Sequence, residues 1–198
     1  MEFDYDRYRV DQLVRPIANM YRVTPLAIGE TPAGPPVAYV RQKKMKIKED
    51  IRFYGDETET NEIFRIKARS MFDMGSARYD VFAGQQKIGL LWHKFKESLL
   101  RTTWHVGGPN DEEVAIARER SQVGAIARRV ADFVPVGDLI PIPYNFEILV
   151  DGTRVGGMDR KFKLRDQYIL DLSDDTDKKI DRRLAVALAV GLDTLQNR

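Results

Sequence analysis

Leu184 to Leu192 reads LAVALAVGL, an unbroken apolar run set between Arg182-Arg183 and Asp193. A helix built on it is greasy on every side, and such a helix must be enclosed by protein or lipid, since a surface helix needs only one apolar stripe. Length decides between the two. The run reaches roughly 13 Å at about 1.5 Å per residue, and extension to Leu195 still falls far short of the ~20 residues that a bilayer span needs. We therefore expect a helix wrapped inside its own domain, with Leu184, Leu188, Leu192 and Leu195 along its buried length.

Composition sets the outer bounds. The chain has 198 residues, 43% hydrophobic and 31% charged, which fits one globular domain, at most two, with a proper core. Lys+Arg 32 against Asp+Glu 30 leaves a formal net charge of +2. That balance argues against a nucleic-acid partner, so any basic surface must be local. With no cysteine, disulfides, thiol catalysis and Cys-ligated metal centres drop out, and a cytoplasmic setting is favoured. The opening MEFDYDRYRV has no apolar signal core, so neither a secretion signal nor a transmembrane segment is expected.

Outside the terminal run, apolar residues mostly recur at every second position, the mark of half-buried strands. The pattern predicts strands over Tyr21 to Gly29, Val37 to Lys46, Ile51 to Gly55, Glu62 to Ser70, Ala77 to Ala83, Gln86 to Trp92 and Leu99 to Val106. Others are predicted over Glu113 to Arg120, Leu139 to Pro143, Asn145 to Val150, Arg154 to Arg160 and Tyr168 to Leu172. Asp151-Gly152 supplies the left-handed conformations of a tight hairpin, and Phe82-Ala83-Gly84-Gln85 marks a second. Thr31 to Pro36 (TPAGPP) and the acidic Gly55 to Thr60 read as loops.

Helical spacing appears from Gln122 to Phe133, where Val123, Ile126, Ala127, Val130 and Phe133 share a face opposite Arg128, Arg129 and Asp132. An alternative start at Asp111 would absorb Glu113 to Arg120. The terminal helix is entered through Asp174, Asp175 and Asp177, which suit a helix N-terminus. In the first twenty residues Val10, Leu13, Val14 and Ile17 have helical spacing that Pro16 interrupts, so this stretch is left as an N-terminal extension.

A helix about 10–12 Å across does not fit inside a barrel of about eight strands, whose interior is filled by its own side chains. About twelve candidate strands is the right number for a wider closed barrel around a central helix, and closure leaves no sheet edge exposed. The fold expected is therefore mainly β.

The stretches IFRIKARSMFDMGSARYDVF (Ile63 to Phe82), QKIGLLWHKFKESLLRTTWHV (Gln86 to Val106) and FEILVDGTRVGGMDRKFKLRDQYILDL (Phe146 to Leu172), with the closing apolar helix, resemble the LURP-one-related family. That family belongs to the tubby C-terminal-like superfamily, which includes the phospholipid scramblases. The resemblance covers roughly residues 21–198 and implies a closed twelve-stranded antiparallel barrel around a C-terminal helix. It implies function only loosely: phosphoinositide headgroup binding for tubby-type domains and calcium-dependent lipid movement for scramblases. A fold so widely shared does not carry function by itself.

Local chemistry offers two candidate patches. In a strand, Lys44, Lys46 and Lys48 share a face, and with Arg41 and Lys43 they form a candidate site for an anionic lipid headgroup. The plain alternative is a solvated strand face. Asp171, Asp174, Asp175 and Asp177 occupy the place of a proposed calcium segment in scramblases, but Thr176 and Arg182 break the EF-hand pattern. An acidic loop beside a helix dipole is the alternative, and no metal or cofactor is expected. His93 and His105 are expected on the polar face, with Trp92 and Trp104 packed inward; a histidine pair facing across the ladder is the other reading.

These features lead to a non-enzymatic, cytoplasmic barrel peripheral to the inner face of a membrane, with anionic phospholipid as partner. A protein-interaction scaffold, motivated by Arg118, Arg120, Arg128 and Arg129, and a scramblase-like lipid handler are the alternatives. A carrier of a small apolar ligand is disfavoured, because the helix fills the space a ligand would use.

Overall fold

The computed structural model describes residues 3–13, 18–43, 50–69, 76–94, 102–120, 145–161 and 167–195. These residues form twelve strands, a single 3-10 turn at Ile28–Glu30 and one α-helix. The strands are β1 (Arg7–Leu13), β2 (Ala18–Pro25), β3 (Ala38–Lys43), β4 (Asp50–Tyr54), β5 (Glu62–Ala68) and β6 (Ser76–Ala83), followed by β7 (Gln86–Lys94), β8 (Thr103–Gly107), β9 (Glu113–Glu119), β10 (Phe146–Val150), β11 (Thr153–Lys161) and β12 (Gln167–Asp171). The helix, α1, is Arg182–Thr194. Each strand pairs antiparallel with its neighbours in sequence, and β1 pairs with β12 to close the barrel.

Alternation decides what faces inward. Along β10, Phe146, Ile148 and Val150 are buried while Glu147 and Leu149 are only half-buried. Inward residues from all around the barrel meet α1, whose Val186, Ala187 and Val190 are fully buried. Leu184, Leu188 and Leu192 are 2% exposed or less, and Leu195 at the C-cap is 9% exposed. Alanine at 185, 187 and 189 keeps the helix slim enough for strands to pack close. Gly89 of β7 is needed for the same reason, because a Cβ there would lie 2.6 Å from the Leu184 side chain and 2.5 Å from the Gly107 carbonyl oxygen.

Both ends of α1 are pinned by buried ions. Asp181 caps the start, accepting from the Arg183 amide at 2.8 Å, while Asp174 and Asp177 lie in the turns before it. Arg182, 4% exposed, donates to Asp175 Oδ2 at 2.5 Å and to Asp6 Oδ1 at 2.7 Å. Burial works against the Arg182 charge, yet the bonds to Asp6 and Asp175 hold its pKa above the ordinary value. At the other end Asp193 is buried where the helix dipole disfavours a carboxylate. Tyr21 of β2 offsets this by donating to Oδ2 at 2.5 Å, and Tyr168 of β12 donates to Oδ1.

The first twenty residues correct the sequence reading. They supply β1 and the start of β2, with Tyr8 and Val10 buried in the core and Arg9 between them on the outer face. The apolar spacing at Val10 and Leu13 suggests a helix, whereas the alternation RYRVDQ forms the strand that closes the cylinder. Glu113–Glu119 is a strand, which removes the helix start at Asp111. The predicted helix over 122–133 and strand over 139–143 lie outside the described residues. Both predicted hairpins form: Asp151 and Gly152 have φ of 50° and 76°, and Gly84 has φ of 59°.

Two substitutions test this packing. Leu188→Ala is expected to cost about 2–5 kcal/mol in denaturant unfolding, and Leu188→Asp to prevent folding; a soluble, folded Leu188→Asp protein would sink the enclosed-helix account. Asp175→Ala strands the buried Arg182 guanidinium with a single carboxylate partner and is expected to cost about 3–5 kcal/mol, read by the same titration.

Candidate functional site

Of the basic segment, the structure describes Arg41 in full and Lys43 as the last residue of β3, while Lys44, Lys46 and Lys48 lie outside the described residues. Arg41 belongs to a different basic grouping. The register sets Arg41 of β3 opposite Arg52 of β4, and Arg52 opposite Arg65 of β5. Val40, Ile51, Phe53, Phe64 and Ile66 take the inward positions beside them, so the three guanidinium groups stand in one rank on the outer face. Neighbouring strands are about 4.8 Å apart, so the rank runs roughly 10 Å across the sheet.

Like charges placed directly opposite weaken a sheet. Carboxylates at the edges of the rank offset this repulsion. Glu59 lies 2.5 Å from Arg41, Asp50 lies 2.9 Å from Arg52, and Glu62 sits between Arg52 at 3.3 Å and Arg65 at 3.6 Å. The bonds from Asp50 raise the pKa of Arg52 against the opposing effect of burial. The arginine side chains remain 40%, 33% and 35% exposed, and Lys67, one outward position beyond Arg65, is exposed as well. Arg41, Arg52, Arg65 and Lys67 thus share this face with Glu59, Asp50 and Glu62, and Asp80 of β6 stands opposite Lys67; guanidinium forks suit phosphate or carboxylate oxygens.

Glu59 is held by its loop. The Asp56 side chain accepts from the Thr58 hydroxyl, from the Thr60 amide at 3.3 Å and from the Asn61 amide at 2.9 Å, and Glu59 itself takes a φ of 60°. These bonds, led by that of Thr58, lower the Asp56 pKa to about 2.

The acidic segment before the helix is dispersed onto separate arginines. Asp171 pairs with Arg7 at 3.0 Å, Asp174 with Arg154 at 3.2 Å and Asp175 with Arg182 at 2.5 Å. Among the described residues no group of three or more His, Asp or Glu side chains is placed to hold a metal ion.

The two Trp-His pairs follow the first sequence reading at Trp104 and His105 and reverse it at Trp92 and His93. Antiparallel register sets Trp92 opposite His105 and His93 opposite Trp104. Leu91 and Val106 are opposed and fully buried, so His93 and Trp104 share their inward face, while Trp92 and His105 take the opposite face, where His105 is nonetheless buried. Two copies of the same dipeptide on antiparallel strands cannot present both tryptophans to one side in this register. Trp92 stacks on His105 at 4.9 Å and 9°, and His105 Nδ1 lies 2.6 Å from Glu113 Oε2.

On the scaffold face, Arg118 pairs with Glu147 at 2.7 Å and Arg120 with Asp159 at 3.0 Å, while Arg128 and Arg129 lie outside the described residues. An open groove of about 300 Å³ runs along β9 and the β10–β11 hairpin, lined by Glu113, Ile116, Arg118 and Leu149 among others.

Sequence reasoning missed Arg52 and Arg65. Each is legible as an outward residue of IRFY or IFRIK, but their alignment with Arg41 depends on the register of two strand pairs.

The LURP-one-related family model matches residues 37–193, which is most of the chain, so this protein belongs to the LURP-one-related family. Its closed barrel around a C-terminal helix is the tubby-like architecture that the family implies. Comparison with curated proteins finds no match.

A pH prediction follows from Asp56. Its folded pKa lies below the ordinary carboxylate value of about 4, so the order it gives the loop is fully present above that value and is lost as pH falls through about 2. The Thr60 and Asn61 amide resonances are expected to titrate with a midpoint near 2; a midpoint near 4 would contradict the bonded loop.

Proposed function

We propose that this barrel is a non-enzymatic module that binds anionic phospholipid headgroups at the cytoplasmic surface of a membrane. The observation that carries the reading is the rank of Arg41, Arg52 and Arg65 across three adjacent strands, with Lys67 beside it. Basic residues near an anionic leaflet contribute roughly 1 kcal/mol each, so four of them give a weak, salt-sensitive attachment. Lys43, Lys44, Lys46 and Lys48 follow Arg41 in the chain and add basic character to the same region of sequence. The headgroup association of tubby-type domains, to which the family is related, points the same way. Among the described residues no helix is long and apolar enough to cross a membrane.

A protein-interaction scaffold is the second reading, favoured by the groove along β9. Co-sedimentation separates the two. Wild-type protein is expected to bind phosphatidylserine-containing vesicles over neutral ones at low salt and to release at high salt. Arg52→Ser/Arg65→Ser is expected to weaken binding by about tenfold or more. A parallel Lys44/Lys46/Lys48→Ser variant measures the lysine row, and a calcium arm tests the scramblase-like alternative. Absence of anionic-vesicle binding under every condition would leave the scaffold.

A further inference from the structure

We propose that the loop joining β2 to β3 is an apolar finger that enters the headgroup–acyl boundary of the bilayer, with Ile28 as its inserted side chain. This rests on the membrane-surface reading above and adds a hydrophobic component to it. Ile28 is 95% exposed; the other exposed large apolar residue among the described residues is Tyr5, at 37%. A single exposed apolar side chain is ordinary on a protein surface. What sets Ile28 apart is the platform that carries it.

The loop is braced at its base. Leu26 bridges to Pro32, the Ala27 amide donates to the Thr31 carbonyl at 2.8 Å, and the Ala33 amide donates to the Pro25 carbonyl at 2.9 Å. Arg7 of β1 adds a bond to the Ala27 carbonyl at 3.3 Å. Gly29 and Glu30, with φ of 77° and 64°, turn the chain sharply just after Ile28. Ile28 is therefore presented on fixed backbone, and its burial in lipid would not have to pay for ordering a floppy loop.

The chemistry of the tip also suits a bilayer boundary. From Ala27 to Pro36 the sequence is AIGETPAGPP, in which Glu30 is the sole ionisable residue. Its carboxylate is drawn onto Lys161 of β11 at 2.8 Å. Unpaired backbone amides are what normally keep loops out of lipid. Here the two amides at the base of the loop, Ala27 and Ala33, are paired, and Pro32, Pro35 and Pro36 have none, so the backbone donors left for headgroup oxygens and interfacial water are those of the tip and of Gly34. Interfacial segments sit about 5–10 Å into the headgroup–acyl boundary, a depth within reach of a side chain at a loop tip.

The test uses the full chain and vesicles of phosphatidylserine and phosphatidylcholine, with and without brominated acyl chains. Ile28→Ser is expected to weaken vesicle binding about tenfold, at unchanged thermal stability and unchanged salt dependence. Ile28→Trp is expected to show blue-shifted, bromine-quenched emission on vesicle addition, above the wild-type baseline from Trp92 and Trp104. If wild-type protein binds vesicles while Ile28→Ser binds equally well and Ile28→Trp is not quenched, the finger is overturned and the arginine face stands alone. If wild-type protein binds no vesicles, the membrane reading falls and the finger with it.

Discussion

One helix fills the interior of this barrel, and the width of that helix sets how many strands must surround it. α1 offers no polar face, so every direction around its axis has to be covered by protein. A narrow barrel has no room for it, and an open sheet would leave one side of it wet. Twelve strands closed by the β1–β12 pair meet the requirement. The small residues facing α1, such as Gly89 and Ala117, then set how closely individual strands approach.

An apolar helix in an apolar tube has little to fix its position along the axis, because hydrophobic contact is non-directional. Buried ions at the two ends supply that direction. Arg182 is tied to Asp175 and Asp6 at one mouth, and Asp193 is tied to Tyr21 and Tyr168 near the other. A shift of one helical turn, about 5.4 Å, would leave charges unpaired inside the protein. The outer face follows a different rule. There, cations and carboxylates remain partly exposed, and their pairs contribute little to stability.

Much of this architecture is legible in the residues. The greasy run Leu184 to Leu192 dictates enclosure, period-two patterning marks most of the strands, and Asp151-Gly152 marks a hairpin that forms as read. The N-terminal strand was hidden because Val10, Leu13, Val14 and Ile17 imitate helical spacing, while the partner that makes Arg7–Leu13 a strand lies some 160 positions away, in β12. The arginine rank was hidden for a related reason: alternation assigns each arginine to the outer face, but only register brings the three together. The Trp-His pairs show the same limit, since one dipeptide on two antiparallel strands reads as a matched pair and folds as a crossed one. Local pattern says which way a side chain points, and long-range pairing says what it meets.

The chain order of these elements bears on how the molecule is made. All twelve strands precede α1 in the sequence, and the strand that closes the barrel pairs the first with the last. During synthesis from the N-terminus the sheet therefore accumulates before its filling exists, with apolar inner faces and unpaired edges. Contacts this distant in sequence also favour slow folding, because long loops must close before they are rewarded. The nascent sheet thus keeps its apolar inner face uncovered until α1 emerges and the cylinder can shut around it.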